Sequence, residues 1–340
     1  MDIKEEIIMT QDTPDISVVV CTYTEARWAD LVEAVDSIRR QIVPCRELII
    51  VVDHNQALFE RVRDQFEEAT VVENQEPRGL SGARNTGVAI AKGTLVAFLD
   101  DDAIVERDWV EKFTECLENP ELLGVGTRID PLWENEQPAW LPDEYYWVVG
   151  CSYRGLPLTQ APIRNLTGGS MCLRREIFEE VGGFRVGIGR TSTRPLGCEE
   201  TELCIRAGQH WPQKIFLYDP GIRIQHRVPA SRARWSYFCA RCYAEGQSKA
   251  LVSSNVGAGD GLASERMYVL KTLPQGVVRG LADTFFRHDL MGLARAGSIV
   301  AGLVITIAGY CQLWVSQRMA GRPKNLDVTL IASRHSDVDF

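Results

Sequence analysis

Three consecutive aspartates, Asp100, Asp101 and Asp102, close the apolar run TLVAFLD, which reads as a buried strand. Carboxylates packed this closely repel one another, and a divalent cation removes that cost. Their hard oxygens suit Mg2+ or Mn2+, which such sites commonly share with substrate phosphates. The chemistry this predicts is binding of a nucleotide diphosphate; the plainer reading is a solvated turn, since an aspartate after a strand is often a cap or turn residue. A second acidic cluster, Glu199, Glu200 and Glu202, opens a helical pattern behind a loop rich in Gly, Arg and Ser/Thr (185–197). Acidic residues in a first turn complement the helix dipole. A carboxylate held beside an acceptor hydroxyl also serves as a general base. His226 precedes a basic segment, Arg227 to Arg234, and offers either a third metal ligand or an ordinary structural imidazole.

These residues need a scaffold that brings distant strand ends together. ISVVVC (16–21), ELIIVVD (47–53), TVVE (70–73) and TLVAFLD (94–100) are short β-branched runs, separated by amphipathic stretches near 25–41, 56–67 and 80–91, with another at 106–117. Continuous apolar strands alternating with helices predict an α/β doubly wound, mainly parallel sheet with helices on both faces. Ligands of such sheets bind beyond the carboxyl ends of the strands. Thr22, Tyr23 and Glu25 stand there after the first strand, Asp53 after the second, and Arg84 lies in the Gly-rich turn and helix that follow. After Asp130 the alternation breaks, and 131–167, rich in Pro, Trp and Tyr, reads as irregular. A strand and helix follow at 168–184, then a helix at 198–208, strands near 215–218 and 222–225, and a long helix from about Ser231 to Val252. SSNVGAGDG (253–261) reads as a linker.

The chain's formal charge of −9 is unevenly placed: residues 1–261 hold 28 Lys+Arg against 40 Asp+Glu, and residues 262–340 hold 9 against 6. An acidic body argues against a nucleic-acid partner. The ten cysteines are scattered and the N-terminus lacks an apolar core, which predicts free thiols in a cytoplasmic setting. Cys239 and Cys242 read as two cysteines on one helix face. Residues 297–315 form a charge-free stretch of 19 residues between Arg295 and Arg318, near the length that spans a bilayer. Basic residues on both sides give it no orientation. The expectation is membrane-surface contact through 285–320 at the inner face of the cell membrane, by a helix lying in or re-entering the leaflet. The alternative is a packing hairpin or homodimer element.

The ordered set VVVCTYTEA (18–26), VVD (51–53), GLSGARNTG (79–87), FLDDD (98–102), GGSMCLRREIFEEVGGF (168–184) and EETELCIR (199–206) resembles family-2 glycosyltransferases of the GT-A fold, inverting and non-processive. The resemblance implies a Rossmann-like, mainly parallel mixed sheet with a C-terminal helical extension. With the chain's own pattern it divides the sequence into an N-terminal tail (1–14), a nucleotide-sugar half (15–130), an acceptor half (131–252), the linker (253–261) and a C-terminal helical, membrane-associated extension (262–340). It also implies that Thr22, Tyr23, Glu25 and Asp53 contact base and ribose and that Arg84 helps fix the nucleotide. Asp102 and His226 would hold Mn2+ or Mg2+, with Asp100 and Asp101 nearer the ribose. Glu200, with Glu199 sharing the task, stands where the family's ED motif has an aspartate base. Gly169, Ser170 and Trp235 would face the acceptor. Ser231–Trp235 is similar to the QxxRW motif of polysaccharide synthases but has Ser231 in place of glutamine; it would put Arg234 near the diphosphate. The arginines of 185–197 would close as a lid.

The reaction this implies is transfer of one sugar from a nucleotide-diphosphate sugar to a glycan, lipid-linked or small-molecule hydroxyl, with inversion. Two other readings share the binding residues. A sugar nucleotidyltransferase would carry a Gly-rich triphosphate loop after the first strand, where this chain has CTYTEARW. A membrane-tethered nucleotide-sugar sensor would bind donor without transfer.

Overall fold

The computed structural model describes residues 14–190 and 196–319. The tail before residue 14, Arg194 of the expected lid, and the basic residues Arg322, Lys324 and Arg334 lie outside the described residues.

The expected alternation is present from β1 (Ile16–Thr22) through α1 (Trp28–Arg39), β2 (Glu47–Val52), α2 (Gln56–Gln65), β3 (Thr70–Glu73) and α3 (Leu80–Ile90) to β4 (Leu95–Asp100). In β1, Ile16, Val18 and Val20 pack into one core and Val19 into the other. Period-two side-chain alternation with both faces apolar is what a strand buried between two helical layers requires. β3, β2, β1 and β4 run parallel in that order.

Beyond β4 come β5 (Ala103–Val105), α4 (Trp109–Leu117), β6 (Leu122–Trp133), a 3-10 helix (Asp143–Val149), β7 (Ala161–Ile163), β8 (Ser170–Arg174), α5 (Glu176–Val181), α6 (Glu199–His210) and β9 (Ile215–Val228). β8 lies antiparallel between β4 and β6, so the nine-stranded sheet is mixed. β6 departs from the irregular structure expected after Asp130. Its glycines face close neighbours: a Cβ at Gly124 would press on the Leu173 side chain and the Cys172 carbonyl, and one at Gly126 would meet Leu166. Those glycines dilute the apolar signal while being what the packing demands. The two strands expected at 215–218 and 222–225 are one, β9, bent by a register shift opposite Thr127 and Arg128.

The expected linker is helical. α7 (Trp235–Val256) runs through its first part, and α8 (Ala258–Gly261) and α9 (Ala263–Met267) follow. One π-helical turn (Tyr268–Thr272) leads into α10 (Leu273–Arg287), and a tight bend at His288 turns the chain back into α11 (Met291–Met319). Glycines weld this hairpin to the body. A Cβ at Gly246 of α7 would collide with the Thr306 carbonyl of α11, and one at Gly309 with the Tyr243 carbonyl. The 3-10 helix adds Tyr145, whose hydroxyl donates to the Ile299 carbonyl at 3.1 Å.

A buried charge cluster fastens α9. Glu265 accepts two hydrogen bonds from Arg164, at 2.8 and 2.9 Å, and Lys249 lies 2.7 Å away. Burial opposes ionisation, yet Lys249 and Arg164 hold Glu265 at about 2, against an ordinary 4.5. Its stabilisation is therefore complete above pH 4.5 and fades as pH falls towards 2. Glu265→Gln removes the carboxylate partner of Arg164 and leaves Lys249 with Glu245 at 3.4 Å, and is expected to cost about 3 kcal/mol, read as a fall in Tm at pH 7 that shrinks at acid pH.

Candidate active site

The strand register assembles the site. β5 returns antiparallel to β9 with Ala103 opposite His226, so the histidine lands beside the aspartates although far from them in sequence. His226 Nε2 lies 3.2 Å from Asp102 Oδ1. One ligand atom each from Asp100, Asp102 and His226 falls within 4.8 Å of the others. Asp102 Oδ1 is buried and accepts no hydrogen bond. A buried carboxylate oxygen with no well-aligned donor is costly, and two carboxylates with an imidazole suit a divalent cation. The donor set fits one.

Asp101 is turned aside. Arg27 Nη1 donates to Asp101 Oδ1 at 2.8 Å and reaches Asp102 Oδ2 at 3.2 Å. Burial pushes Asp101 up to about 6 against the pull of Arg27. Burial also opposes ionisation of Asp102, but His226, Arg27 and Arg232 hold its carboxyl well below the usual range. Arg27 and Arg232, whose Nη2 lies 3.5 Å from Asp102 Oδ2, thus answer the repulsion within the acidic triplet.

Arg84 links the two acidic clusters. Wholly buried on α3, it donates to Glu199 Oε1 at 2.9 Å and to the Gly168 carbonyl at 2.7 Å, and approaches Asp100 Oδ1 at 3.3 Å. A Cβ at Gly168 would press on the Arg84 guanidinium from 3.1 Å. The Gly169 carbonyl accepts from the Asp100 amide at 3.1 Å, which brings bare backbone against that aspartate.

α6 starts from Cys198 in a left-handed conformation, φ 72°, a strained geometry for a residue with a Cβ. This turn sends the first helical carboxylates in different directions. Glu199 is spoken for by Arg84, and Glu202 is fully buried between Arg185 and Arg206 at 2.6 and 2.8 Å. Among the described residues Glu200 has the Thr201 hydroxyl 3.2 Å from its Oε1 and no ion pair. Burial first, and then the Glu199 charge, push Glu200 up to about 7, with Arg84 opposing.

A cavity of about 730 Å3 runs past these groups, lined by Arg84, Asp100, Gly169, Glu199, Glu200 and His226. That volume suits a ligand of saccharide size. Arg190 and Arg241 line it as well; burial and its neighbours Arg232 and Arg241 lower the Arg190 guanidinium below its ordinary range.

Other expected residues lie elsewhere. Thr22 is buried at the tip of β1, and Tyr23 is exposed with Arg27 5.6 Å over its ring. Glu25 is exposed, 3.7 Å from Arg61. The Asp53 carboxylate clasps the following turn, accepting from Asn74 Nδ2 at 2.6 Å and the Gly79 amide at 2.9 Å. These four stand at the carboxyl ends of β1 and β2, outside the cavity wall. Ser170 is not brought to the cavity: its hydroxyl accepts from Trp109 Nε1 at 3.0 Å within the core. Arg234, expected near the diphosphate, is exposed, and Arg232 is the arginine of that segment that reaches Asp102. Trp235 stacks on Phe238 with centroids 5.0 Å apart and meets Trp140 edge-on, so it packs rather than faces the cavity. Arg27, Arg190, Arg232 and Arg241 were not singled out individually. The signal for Arg27 was available, since an acidic triplet needs compensating cations and Arg27 follows the motif at the neighbouring strand end.

Comparison with known proteins decides the family. The profile of glycosyl transferase family 2 matches residues 17–182. Over 238 residues the chain is 34% identical to the glucosyl-dolichyl phosphate glucuronosyltransferase of Haloferax volcanii, covering 69% of this chain and 76% of that protein. The chain belongs to glycosyl transferase family 2. It is also 26% identical over 252 residues to succinoglycan biosynthesis protein ExoM of Rhizobium meliloti, covering 71% of this chain and 75% of that one. Among solved structures, the mannosyltransferase PcManGT of Pyrobaculum calidifontis, in complex with GDP-Man and Mn2+, aligns with a TM-score of 0.55 at 18% identity over 87% of this chain and 88% of that one. This likeness shows the GT-A fold. The enzyme is a nucleotide-sugar glycosyltransferase, which sets aside the nucleotidyltransferase reading.

Proposed function

We propose that this family-2 glycosyltransferase moves one sugar, with inversion, from a nucleotide-diphosphate sugar to a hydroxyl of a lipid-linked acceptor at a membrane surface, with Glu200 as the base. The observation that carries the reading is the contrast within one cavity. Among the described residues Glu200 is the cavity-lining carboxylate with no ion pair, while Asp100 and His226, which group with Asp102 as candidate metal ligands, line the same cavity. Glu200 takes the proton from the acceptor hydroxyl as its oxygen bonds to the anomeric carbon and the bond to the diphosphate breaks. Thr22, Tyr23, Glu25 and Asp53 hold the nucleoside end. Arg190 and Arg232 border the diphosphate and help exclude water. When bound, a divalent cation at Asp100, Asp102 and His226 would neutralise the charge developing on that diphosphate. Mn2+ and Mg2+ both fit this oxygen-rich set.

The acceptor class draws support from the dolichyl phosphate relative and from α11, the one described helix long and apolar enough to cross a membrane, of whose most apolar window 28% is buried. A panel of nucleotide sugars with Mn2+, assayed for released nucleoside diphosphate with and without glucosyl polyprenyl phosphate, tests the function. Acceptor-stimulated release from one donor is expected, whereas donor binding with no release would favour the sensor.

The pH profile is a second expected outcome. Glu200 faces Glu199, Arg84 and Glu245, and a base at about 7 is half ionised there, so kcat should rise through neutral pH and level off above it. Glu199→Gln removes the like charge that raises Glu200, so its acid limb should shift to lower pH. An unmoved limb would detach the profile from Glu200.

A further inference from the structure

The α10–α11 hairpin is glued to the body along one side only. Gly280 and Gly292 bring its two helices together backbone to backbone, and Gly246 and Gly309 seat α11 on α7. The opposite side is apolar and bare. Phe286 and Leu290 at the bend are 85% and 78% exposed, and Leu293, Val300, Val304 and Ile307 continue as an exposed stripe along α11. Patches of this kind on a soluble surface mark an interaction site.

Charge indicates what covers it. Residues 262–319 carry six Lys+Arg and three Asp+Glu. Each acid is already paired: Glu265 with Arg164 and Lys249, Asp283 with Arg287 and Arg295, and Asp289 with Arg295. The surplus is basic. Lys271 and Arg287 are exposed at the rim, and Arg318 lies 3.7 Å over the Trp314 ring at the far end. An apolar face with a basic border and an aromatic at its edge matches an anionic lipid leaflet.

The cavity meets this face. Its lining joins Asp100, Glu200 and His226 with Met267, Leu303, Ile307 and Tyr310 of the helical extension. Met267 and Ile307 line the cavity and are also 61% and 52% exposed, Ile307 within the α11 stripe. We infer that the hairpin lies in one leaflet and that the cavity opens sideways into it between Met267 and Ile307, so that the acceptor's hydrocarbon chain stays in lipid while its sugar reaches Glu200. The inference rests on the glycosyl-transfer reading and adds a lateral port and the residues that frame it.

Full-length protein is mixed with vesicles of phosphatidylcholine, with or without phosphatidylglycerol, and sedimented; calorimetry with nucleoside diphosphates and Mn2+ reads the donor site on the same preparation. Cosedimentation that strengthens with phosphatidylglycerol is expected, and Val300→Glu/Val304→Glu should weaken it by about tenfold or more. Ile307→Trp should raise KM by about tenfold for glucosyl polyprenyl phosphate and leave a smaller effect on glucosyl geranyl phosphate, whose short chain does not need the port. Nucleotide binding without vesicle binding would overturn the port and leave the transfer reading standing; vesicle binding without nucleotide binding would overturn the transfer reading instead. A wild-type dimer that stays off vesicles and becomes monomeric in Val300→Glu/Val304→Glu would assign the face to a second copy. Equal effects of Ile307→Trp on both acceptors would also overturn the port.

Discussion

Glu200→Gln should abolish transfer while leaving the donor site occupied. The amide keeps the size of the side chain and its contact with the Thr201 hydroxyl but cannot accept the acceptor's proton, and loss of a positioned general base costs about 10^2- to 10^4-fold in rate. The loss belongs in kcat, because none of the residues at the nucleotide end touches Glu200. Glu199→Gln should behave differently. Glu199 is the buried partner of Arg84 at 2.9 Å, so its loss lowers Tm and slackens Arg84, with a smaller fall in kcat. Acceptor-dependent release of nucleoside diphosphate, measured beside nucleotide affinity, separates the two; equal kcat losses would mean that both carboxylates share the proton.

Asp102→Ala should erase the dependence of nucleotide binding on Mn2+. Asp102 is where charge converges: His226 at 3.2 Å, Arg27 at 3.2 Å and Arg232 at 3.5 Å all address it. Disturbing residues that merely orient a metal's ligands costs about 10- to 100-fold in affinity, and removing a ligand should cost at least the upper end of that range. Asp101→Asn provides the contrast. Asp101 is held by Arg27 and stands outside the three-residue donor set, so metal dependence should survive its neutralisation. Calorimetry with and without Mn2+ on both variants reads the difference; Asp101→Asn losing the metal effect while Asp102→Ala retained it would reverse the roles.

Strand ends were the most legible part of this chain. Buried parallel strands are unbroken apolar runs, so β1, β2 and β4 announce themselves, and the polar residues just after them are where an open α/β sheet places ligands. The order of the motifs then identified the family. The later half was harder because its signals cancel. β6 carries Gly124, Gly126 and Pro131 inside a strand, since close neighbours leave no room for side chains at the two glycines. β9 bends where the chain suggests two strands. Residues 253–261 contain three glycines and two serines yet are helical in large part, held by α6, whose Gln209 side chain donates to the Val256 carbonyl at 3.0 Å.

Within the site, carboxylates were legible and their partners were not. Glu200 and His226 were located by position in the motif order, but which glutamate is free depends on Arg84 reaching Glu199, a contact between α3 and α6 that no local pattern encodes. Arg232 and Arg234 are two residues apart before α7, and only the turn of the 3-10 helix there decides that Arg232 points inward. Ser170 and Trp235 show the converse: small polar and aromatic residues in a conserved-looking motif context can be spent on packing, here against Trp109 and Phe238.

The most direct measurement is anomalous diffraction from crystals grown with Mn2+ and the nucleoside diphosphate that binds best. The account predicts one Mn2+ peak within bonding distance of Asp102 and His226, in contact with the diphosphate. A diphosphate bound with its Mn2+ elsewhere, or with no Mn2+ at that seat, would contradict it.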